Sequence, residues 1–504
     1  MTKRINYDAV FCGNLPLHNI NMIQPHGYLI VVDSHSLKII QLSENCSDIL
    51  GKPLAELIDT PLDNYIESSK AIAEKLASGI ADKVPFYVTI NGTVGVRTFL
   101  ALAHVKDANL MVELFPGPDR NVGFVDVYQS LKLSFGEIAL TKTVPELSEQ
   151  VTRLLKQISG FERVLMYQFD EEWNGKVIAE SKAPDQQSYL GQQFPASDIP
   201  RQARAMYQRN AYRLIPNREY VPVKLYPVIN PNTNSFIDLS DCSIRSVAAV
   251  HIEYLKNMDV MASMSIRVMN DDKLWGLISF HDRKPQFLNF ETCSLFELLS
   301  GYISNHLNFI VNKEKFDFKS ALQQKNIAIQ KRLFEINNLP DSLFSSSNSV
   351  TDLFSAGGAA LLLNGRLHTS GNVPADEFIE NLAFWLQNRH SVPVFAHKNI
   401  AALFEEAEPV AEVASGILAL SLDKTGNDYL ILFRPEAEAT INWGGNPHEA
   451  VQFEADKKTY HPRNSFLLFQ ETIKQTSKDW HDEEISVAQD LRNFLFEYIV
   501  KSGN

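Results

Sequence analysis

The chain has 504 residues, 45% of them hydrophobic and 10% aromatic, and carries a formal net charge of −13. That length suits about three domains of ordinary size, and the composition is that of folded rather than disordered protein. The negative charge argues against general binding to nucleic acid or anionic membrane, since both need positive charge to neutralise phosphate. No apolar run approaches the ~18 residues of a membrane span, and the opening MTKRINYDAVFCG lacks a signal-peptide core; a cytoplasmic protein is expected. Cys12, Cys46, Cys242 and Cys293 show no CxxC pairing and no metal-like spacing with histidine, so neither a disulfide frame nor a metal site is expected.

Along the chain the pattern is α+β. Residues 28–42, YLIVVDSHSLKIIQL, read as two apolar strands around a polar turn, and PFYVTI and LMVELF as further strands. PGPDR at 116–120 closes a first unit, 1–120. A second unit, 121–310, holds an amphipathic helix, ELSEQVTRLLKQIS, then the strands RVLMYQF, KVIAE, MSIRVM and LWGLISF. From about Phe287 to Asn338 there is no proline and one glycine, which predicts a helix on the order of 75 Å long. Leu295, Leu299, Tyr302, His306 and Phe309 give it a coiled-coil-like seam, read either as packing on its own domain or, preferred for its length, as a connector that aids dimerisation. The third unit, 311–504, carries a segment rich in aromatics at about 433–470, too long for a hairpin turn, that reads as an arm reaching another surface. It closes with a helix on which Ile485, Ala488, Leu495 and Tyr498 share a face.

The chemistry concentrates in FPASDIPRQARAMYQRNAYRLIPN, 194–217. It reads as one short helix bearing Arg201, Arg204, Arg209 and Arg213, with Ser197 or Asp198 as cap and Pro200 in the first turn. A capped helix with solvated arginines accounts for most such patterns. Here Met206, Tyr207, Tyr212 and Leu214 are interleaved, and an apolar pocket with guanidinium groups suits a flat hydrophobic ligand carrying carboxylates. Arg245 offers another carboxylate clamp, His251 and Tyr254 lie three apart, and His281 ends an apolar strand. A lone histidine is more often a core or surface residue than a ligand contact; two in apolar segments of one unit weaken that account.

These motifs resemble a known family. MYQFDEEWNGKVIAE, PASDIP, RSVAAVHIEYLKNM and LWGLISFH are similar to the chromophore-binding GAF domain of the bacterial phytochromes. FCGNLPLHNINMIQPHG resembles that family's cysteine segment and IQPHG motif, and FRPE, NWGG and PRNSF the tongue of its PHY domain. The resemblance implies three α/β sensory domains (PAS, GAF and PHY) joined by long helices, with a tongue hairpin from the third. It implies biliverdin IXα joined by a thioether to Cys12, with Cys242 a weaker candidate, and a knotted crossing of the Ile23 region through a GAF loop. Asp198, Ile199 and Pro200 would form the motif at the pyrrole nitrogens, with Tyr207 contributing a hydroxyl near Asp198. His251 would sit by the central rings, His281 would hydrogen-bond the D-ring carbonyl, and Tyr167, Phe194 and Tyr254 would cage that ring. Arg213 and Arg245 would grip the propionates, helped by Ser263 and Ser265. Ala248 stands where many relatives have a propionate-binding serine.

The implied function is red/far-red photoreception: isomerisation at the methine between rings C and D, interconverting Pr and Pfr. Arg463 would pair with Asp198 in one state and Ser465 replace it in the other, with Trp443 packing the tongue. The implied partners are a second copy, through the long helices, and a downstream output domain or response regulator. No kinase, cyclase or receiver motif is present, so a sensory core rather than an enzyme is expected. The alternative is a PAS/GAF sensor of haem or another small ligand, with His251 or His281 on iron. A Cys12 nucleophile is a third reading, with only His18 close by as a base.

Overall fold

The computed structural model describes residues 20–66, 83–92, 95–117, 124–345, 347–388, 392–424, 426–449, 451–453 and 460–502, with isolated positions between 67 and 82. Cys12 lies outside them. The chain divides into two units, 1–309 with 442–469, and 310–441 with 470–504.

The first unit contains two sheets. One is antiparallel throughout and runs Met22–Ile23, Val223–Tyr226, Ile39–Ser43, Tyr28–Asp33, Asn109–Pro116, Gly95–Lys106, Lys83–Gly92. Its alternating β-branched and aromatic residues bury one face, with Ile30, Val32, Phe99, Ala101 and Val112 in a single core. The other face packs Leu29, Val31 and Met111 with Ile237, Leu239, Cys242 and Ile244. The Met22–Ile23 strand is clasped on both sides. It pairs with Val223–Tyr226, while Gln24 N donates to Ile244 O (2.7 Å) and Ser246 N to Met22 O (3.1 Å).

The second sheet of this unit runs Tyr212–Ile215, Ala262–Asn270, Lys273–Asp282, Arg163–Phe169, Gly175–Lys182, Gln193–Phe194, and Trp443 adds to its edge by parallel pairing with Gln193. The helix Val144–Ser159 covers it. Thr143 caps that helix, Pro145 suits the first turn, and Gly160 ends it at φ 71°.

The expected long helix is Phe290–Ile336, 47 residues. Its buried stripe is not the expected seam. Phe296, Leu299, Ile303 and Leu307 are fully buried, whereas Phe309 is 62% exposed. Tyr302 and His306 flank that stripe and pack on their own unit: Tyr302 lies 4.4 Å from the Phe135 ring, and His306 Nε2 is 3.1 Å from Thr141 O. Apolar spacing alone cannot choose between two adjacent stripes; the side facing the sheet does.

The second unit is built on a five-stranded antiparallel sheet, Arg366–Gly371, Gly358–Leu363, Tyr429–Arg434, Gly416–Ser421, Val394–His397. Leu322, Ile329 and Leu333 of the long helix and Val487, Leu491 and Leu495 of the helix Asp482–Ser502 cover one face. Phe378, Ile379 and Leu382 of Asp376–Asn388 cover the other. Ala488 and Leu495 are in that first core, with Ile485 and Tyr498 packed against it as the shared-face reading expects. Among the described residues no helix is long and apolar enough to cross a membrane.

Candidate functional site

The arginine stretch is not one helix. A short turn at Ala196–Asp198 precedes the helix Arg201–Arg209, whose N-cap is Pro200 with no side-chain cap bond, and Arg213 belongs to the strand Tyr212–Ile215. Asn210 breaks the helix, because its extended backbone turns the chain into the sheet. The arginines therefore separate by role. Arg204 is buried, donates to Ile199 O (2.7 Å) and stacks on Trp173, while Arg209 pairs with Asp241 at 2.7 Å. Arg245 is buried and Arg213 part-buried, and among the described residues neither is ion-paired with a carboxylate.

Both line a cavity of about 620 Å³, within the ordinary size of a small-molecule site. Ile199, Pro200, Tyr207, Ala248, Ser263 and Ser265 also line it. The aromatic and titratable residues Tyr167, Phe194, Asp198, His251, Tyr254 and His281 complete the part of the wall expected from sequence. Ile23 does not; its side chain lies in the core beside Leu239 and Ile244, and its backbone bridges to Arg245. Cys242 reaches the wall from that same core.

Burial sets the electrostatics. It pulls His251 down to about 4, with Arg213 adding to the effect, and His281 to about 3, with Arg163 and His251 adding, so both imidazoles are neutral at pH 7. Among the described residues, His281 Nδ1 is buried without a hydrogen-bond partner. Burial and then the like charge of Arg245 lower Arg213 to about 9. Arg213 Nη1 donates to Ser243 O (2.9 Å) and Nη2 to the carbonyls of Arg245 and Ser246, a bracing function of this arginine that carboxylate matching had not foreseen. Arg245 Nη1 donates at the edge of range to Leu239 O (3.4 Å) and Ser240 O (3.3 Å).

At one end of the cavity Asp198 receives two donors on a single oxygen: Tyr254 Oη at 2.8 Å and an Arg463 guanidinium N–H. The hydroxyl expected from Tyr207 thus comes from Tyr254, which the helix Ala249–Asn257 aims at Asp198; Tyr207 instead meets Ser265. Burial pushes the Asp198 carboxyl up, against the opposing pull of Arg463 and Tyr254. The pair is sealed by rings. The Arg463 guanidinium lies 4.6 Å from the Phe466 ring and 5.3 Å from Phe194, and Phe466 meets Tyr254 edge-on at 5.2 Å. His461 Nδ1 lies 3.0 Å from Glu253, Asn257 donates to Arg463 O (3.2 Å), and Ser465 is exposed. Trp443 is 1% exposed, and its two following glycines are sterically required. A Cβ on Gly444 would stand 2.7 Å from Phe194 Cζ, and Gly445, at φ +107°, has Ser465 O at 2.3 Å from that position.

Comparison with known proteins agrees along the whole chain. Family models match as PAS fold over 12–117, GAF domain over 143–307 and phytochrome region over 322–503. Cyanobacterial phytochrome B of Nostoc is 35% identical over 100% of this chain and 68% of its own length. The chain belongs to the phytochromes. The structure of the R. palustris bacteriophytochrome RpBphP3 superposes with a TM-score of 0.88 at 32% identity, covering 98% of this chain and 99% of that one. The photosensory core module of the Stigmatella aurantiaca phytochrome gives 0.84 at 33%, covering 96% and 97%. This phytochrome chain is thus a PAS–GAF–PHY core of a red/far-red photoreceptor, spanning about two thirds of the length of the first curated relatives it matches.

Proposed function

We propose that this core binds biliverdin IXα in the 620 Å³ cavity and reports its isomerisation through the 442–469 segment. The observation that carries the reading is a largely apolar cavity holding two guanidinium groups, one buried and one part-buried, that have no carboxylate partner among the described residues. Buried charges persist when paired, and a tetrapyrrole with two propionates supplies two carboxylates to an otherwise hydrophobic pocket. Neutral His281, with an unsatisfied Nδ1, fits a carbonyl or pyrrole group in the same way.

In this reading Arg213 and Arg245, with Ser263 and Ser265, hold the propionates, and Ala248 withholds one neutral hydrogen bond worth about 1 kcal/mol. The backbone of Asp198–Pro200 and neutral His251 face the pyrrole nitrogens. Tyr167 and Phe194, edge-on at 5.6 Å, with Tyr254, cage the D ring, and His281 holds its carbonyl. Cys12 would anchor the chromophore as a thioether, its S–H adding across the A-ring vinyl with sulfur to one carbon and hydrogen to the other. Bound there, the bilin supplies light-driven rotation about the methine between rings C and D, the Pr–Pfr interconversion. The chain's own part is to trade partners at Asp198. Arg463 holds it while the tongue is in strands, and Ser465 takes its place when the tongue refolds as helix.

The domains are taken as PAS 1–120, GAF 121–310 and PHY 311–504 with the tongue at about 433–470. The protein is read as cytoplasmic and homodimeric, passing its signal to an output module or response regulator rather than catalysing a reaction itself. Leu298, Phe309, Phe316, Ile327 and Phe334 support the dimer: all are more than half exposed, and at 3.6 residues per turn they fall within about 20° of one another on the long helix. An absorption spectrum of the purified protein with biliverdin, taken before and after red light and again after far-red light, tests the reading. A red band that converts to a far-red band and returns is expected; no binding, or a Soret band from haem instead, overturns it.

A further inference from the structure

Ordinary metal-site spacing is missing from the sequence, yet the fold collects three donors from distant positions. His104 and Glu113 lie on neighbouring strands of the first sheet, two positions out of register and so on the same face (His104 opposite Met111, Glu113 opposite Leu102), and Cys242 comes from the loop that packs on that sheet. Their ligand atoms lie within 4.8 Å of one another: Cys242 Sγ is 3.7 Å from His104 Nε2, and His104 Nδ1 is 3.9 Å from Glu113 Oε1. His104 is 2% exposed, Glu113 0% and Cys242 3%.

Two features of this cluster are unexplained by packing. His104 Nδ1 and Glu113 Oε1 face each other at 3.9 Å, and among the described residues both are buried without a hydrogen-bond partner, a costly arrangement unless something else binds them. The other oxygen, Glu113 Oε2, is fully engaged: Ser243 N donates at 2.8 Å, Ser243 Oγ at 2.7 Å and Ile244 N at 3.1 Å. A carboxylate pinned by one oxygen, with the other bare and aimed at an imidazole and a thiol, is how proteins orient a metal ligand.

We propose that His104, Glu113 and Cys242 form a buried site for one zinc ion. Tetrahedral zinc with bonds of about 2.0–2.3 Å sets its ligand atoms roughly 3.3–3.8 Å apart; since His104 can ligate through one nitrogen only, the three donor atoms, now within 4.8 Å of one another, must close by up to about 1 Å. Mixed sulfur, nitrogen and oxygen ligands suit zinc better than calcium or magnesium. Thiolate, carboxylate and neutral imidazole sum to −2, so one divalent ion leaves the buried site neutral. Burial holds His104 down at about 4, ready to ligate, and keeps Cys242 a thiol that surrenders its proton as the metal binds. A nucleophile–base reading of the same cluster is disfavoured by that protonated thiol. Cys242 also touches the cavity, which gives an ion a route in before chromophore is bound. The fourth position falls to water or to Met111, whose Sδ is 3.5 Å from Cys242 Sγ. The ion would staple the first sheet to the loop that carries Arg245.

The test uses the full chain without chromophore, loaded with zinc or cobalt(II) and gel-filtered. The proposal expects one equivalent of metal per chain by elemental analysis and, with cobalt, a near-ultraviolet thiolate-to-metal charge-transfer band. Retention should fall at least tenfold in Cys242→Ser and in Glu113→Gln, and stay unchanged in Cys12→Ser, Cys46→Ser and Cys293→Ser. Absence of stoichiometric metal and of the band in the unaltered chain overturns it, as does full retention in Cys242→Ser. If the site variants fail to fold, the thermal midpoint of the unaltered chain decides: a rise with zinc supports the site, and no change overturns it.

Discussion

Replacing Arg463 with alanine should undock the tongue. Asp198 and Arg463 are 6% and 3% exposed at their side chains, so removal of the guanidinium strands a carboxylate in a nearly dry site where, among the described residues, the Tyr254 hydroxyl is the remaining donor. Breaking a buried ion pair from one side costs about 3–5 kcal/mol, which shifts docked against undocked populations by roughly 150- to 5,000-fold. Loss of the contacts with Phe194 and Phe466 adds to this. Hydrogen exchange in peptides covering 460–469, measured without chromophore, should rise sharply at pH 8. The effect should shrink on acidification. Burial already pushes the Asp198 carboxyl up, and loss of Arg463 removes the charge that opposes this, so as pH falls the stranded group protonates sooner and costs less to bury. For the same reason Asp198→Asn combined with Arg463→Ala should exchange more slowly than Arg463→Ala alone. Unchanged exchange in Arg463→Ala, or a defect that deepens as pH falls, would refute the ion-pair reasoning.

Four other outcomes are expected. The apoprotein should lose stability between pH 7 and pH 5: His26, His251 and His281 are held at about 4, 4 and 3, so the unfolded chain takes up protons first, at about 2 kcal/mol per histidine, measurable by urea unfolding. Arg245→Ala should weaken biliverdin binding roughly 10- to 100-fold in fluorescence titrations while leaving binding of the dimethyl ester nearly unchanged, since only the free propionates need the charge. Gly444→Val should cost the docked tongue about 1–3 kcal/mol by collision with Phe194, seen as faster proteolysis near 460–466. Ile303→Ala should lower stability by about 2–5 kcal/mol, whereas Phe309→Ser should leave it within about 0.5 kcal/mol and shift the sedimentation of any dimer.

What could be read in advance followed local signals. The strands at 28–42, 163–182 and 262–282 and the long helix are written in short-range periodicity and in the absence of proline and glycine. The cavity wall was reached through resemblance, because its residues come from separate segments that no local pattern joins. Failures came where three-dimensional context chose between local equals. Arg213 left the helix because Asn210 extends the chain into a sheet edge, and Tyr254 rather than Tyr207 reached Asp198 because each hydroxyl depends on where its own helix is packed. The His104–Glu113–Cys242 cluster was invisible for the same reason: its spacing through space is close, and its spacing along the chain matches nothing.

The clasp around Ile23 carries a cost in time. Its partners, Val223–Tyr226 and 244–246, emerge some two hundred residues later, so a growing chain cannot complete that edge early. At about 5–20 residues per second the first strand waits roughly 10–45 s with its hydrogen-bonding edges open. Until then its neighbours lack the register it imposes on Arg245, and the cavity wall is unfinished. Completion of that sheet edge therefore waits for the middle of the polypeptide to return to its start, with a bare strand edge exposed to misassociation in between.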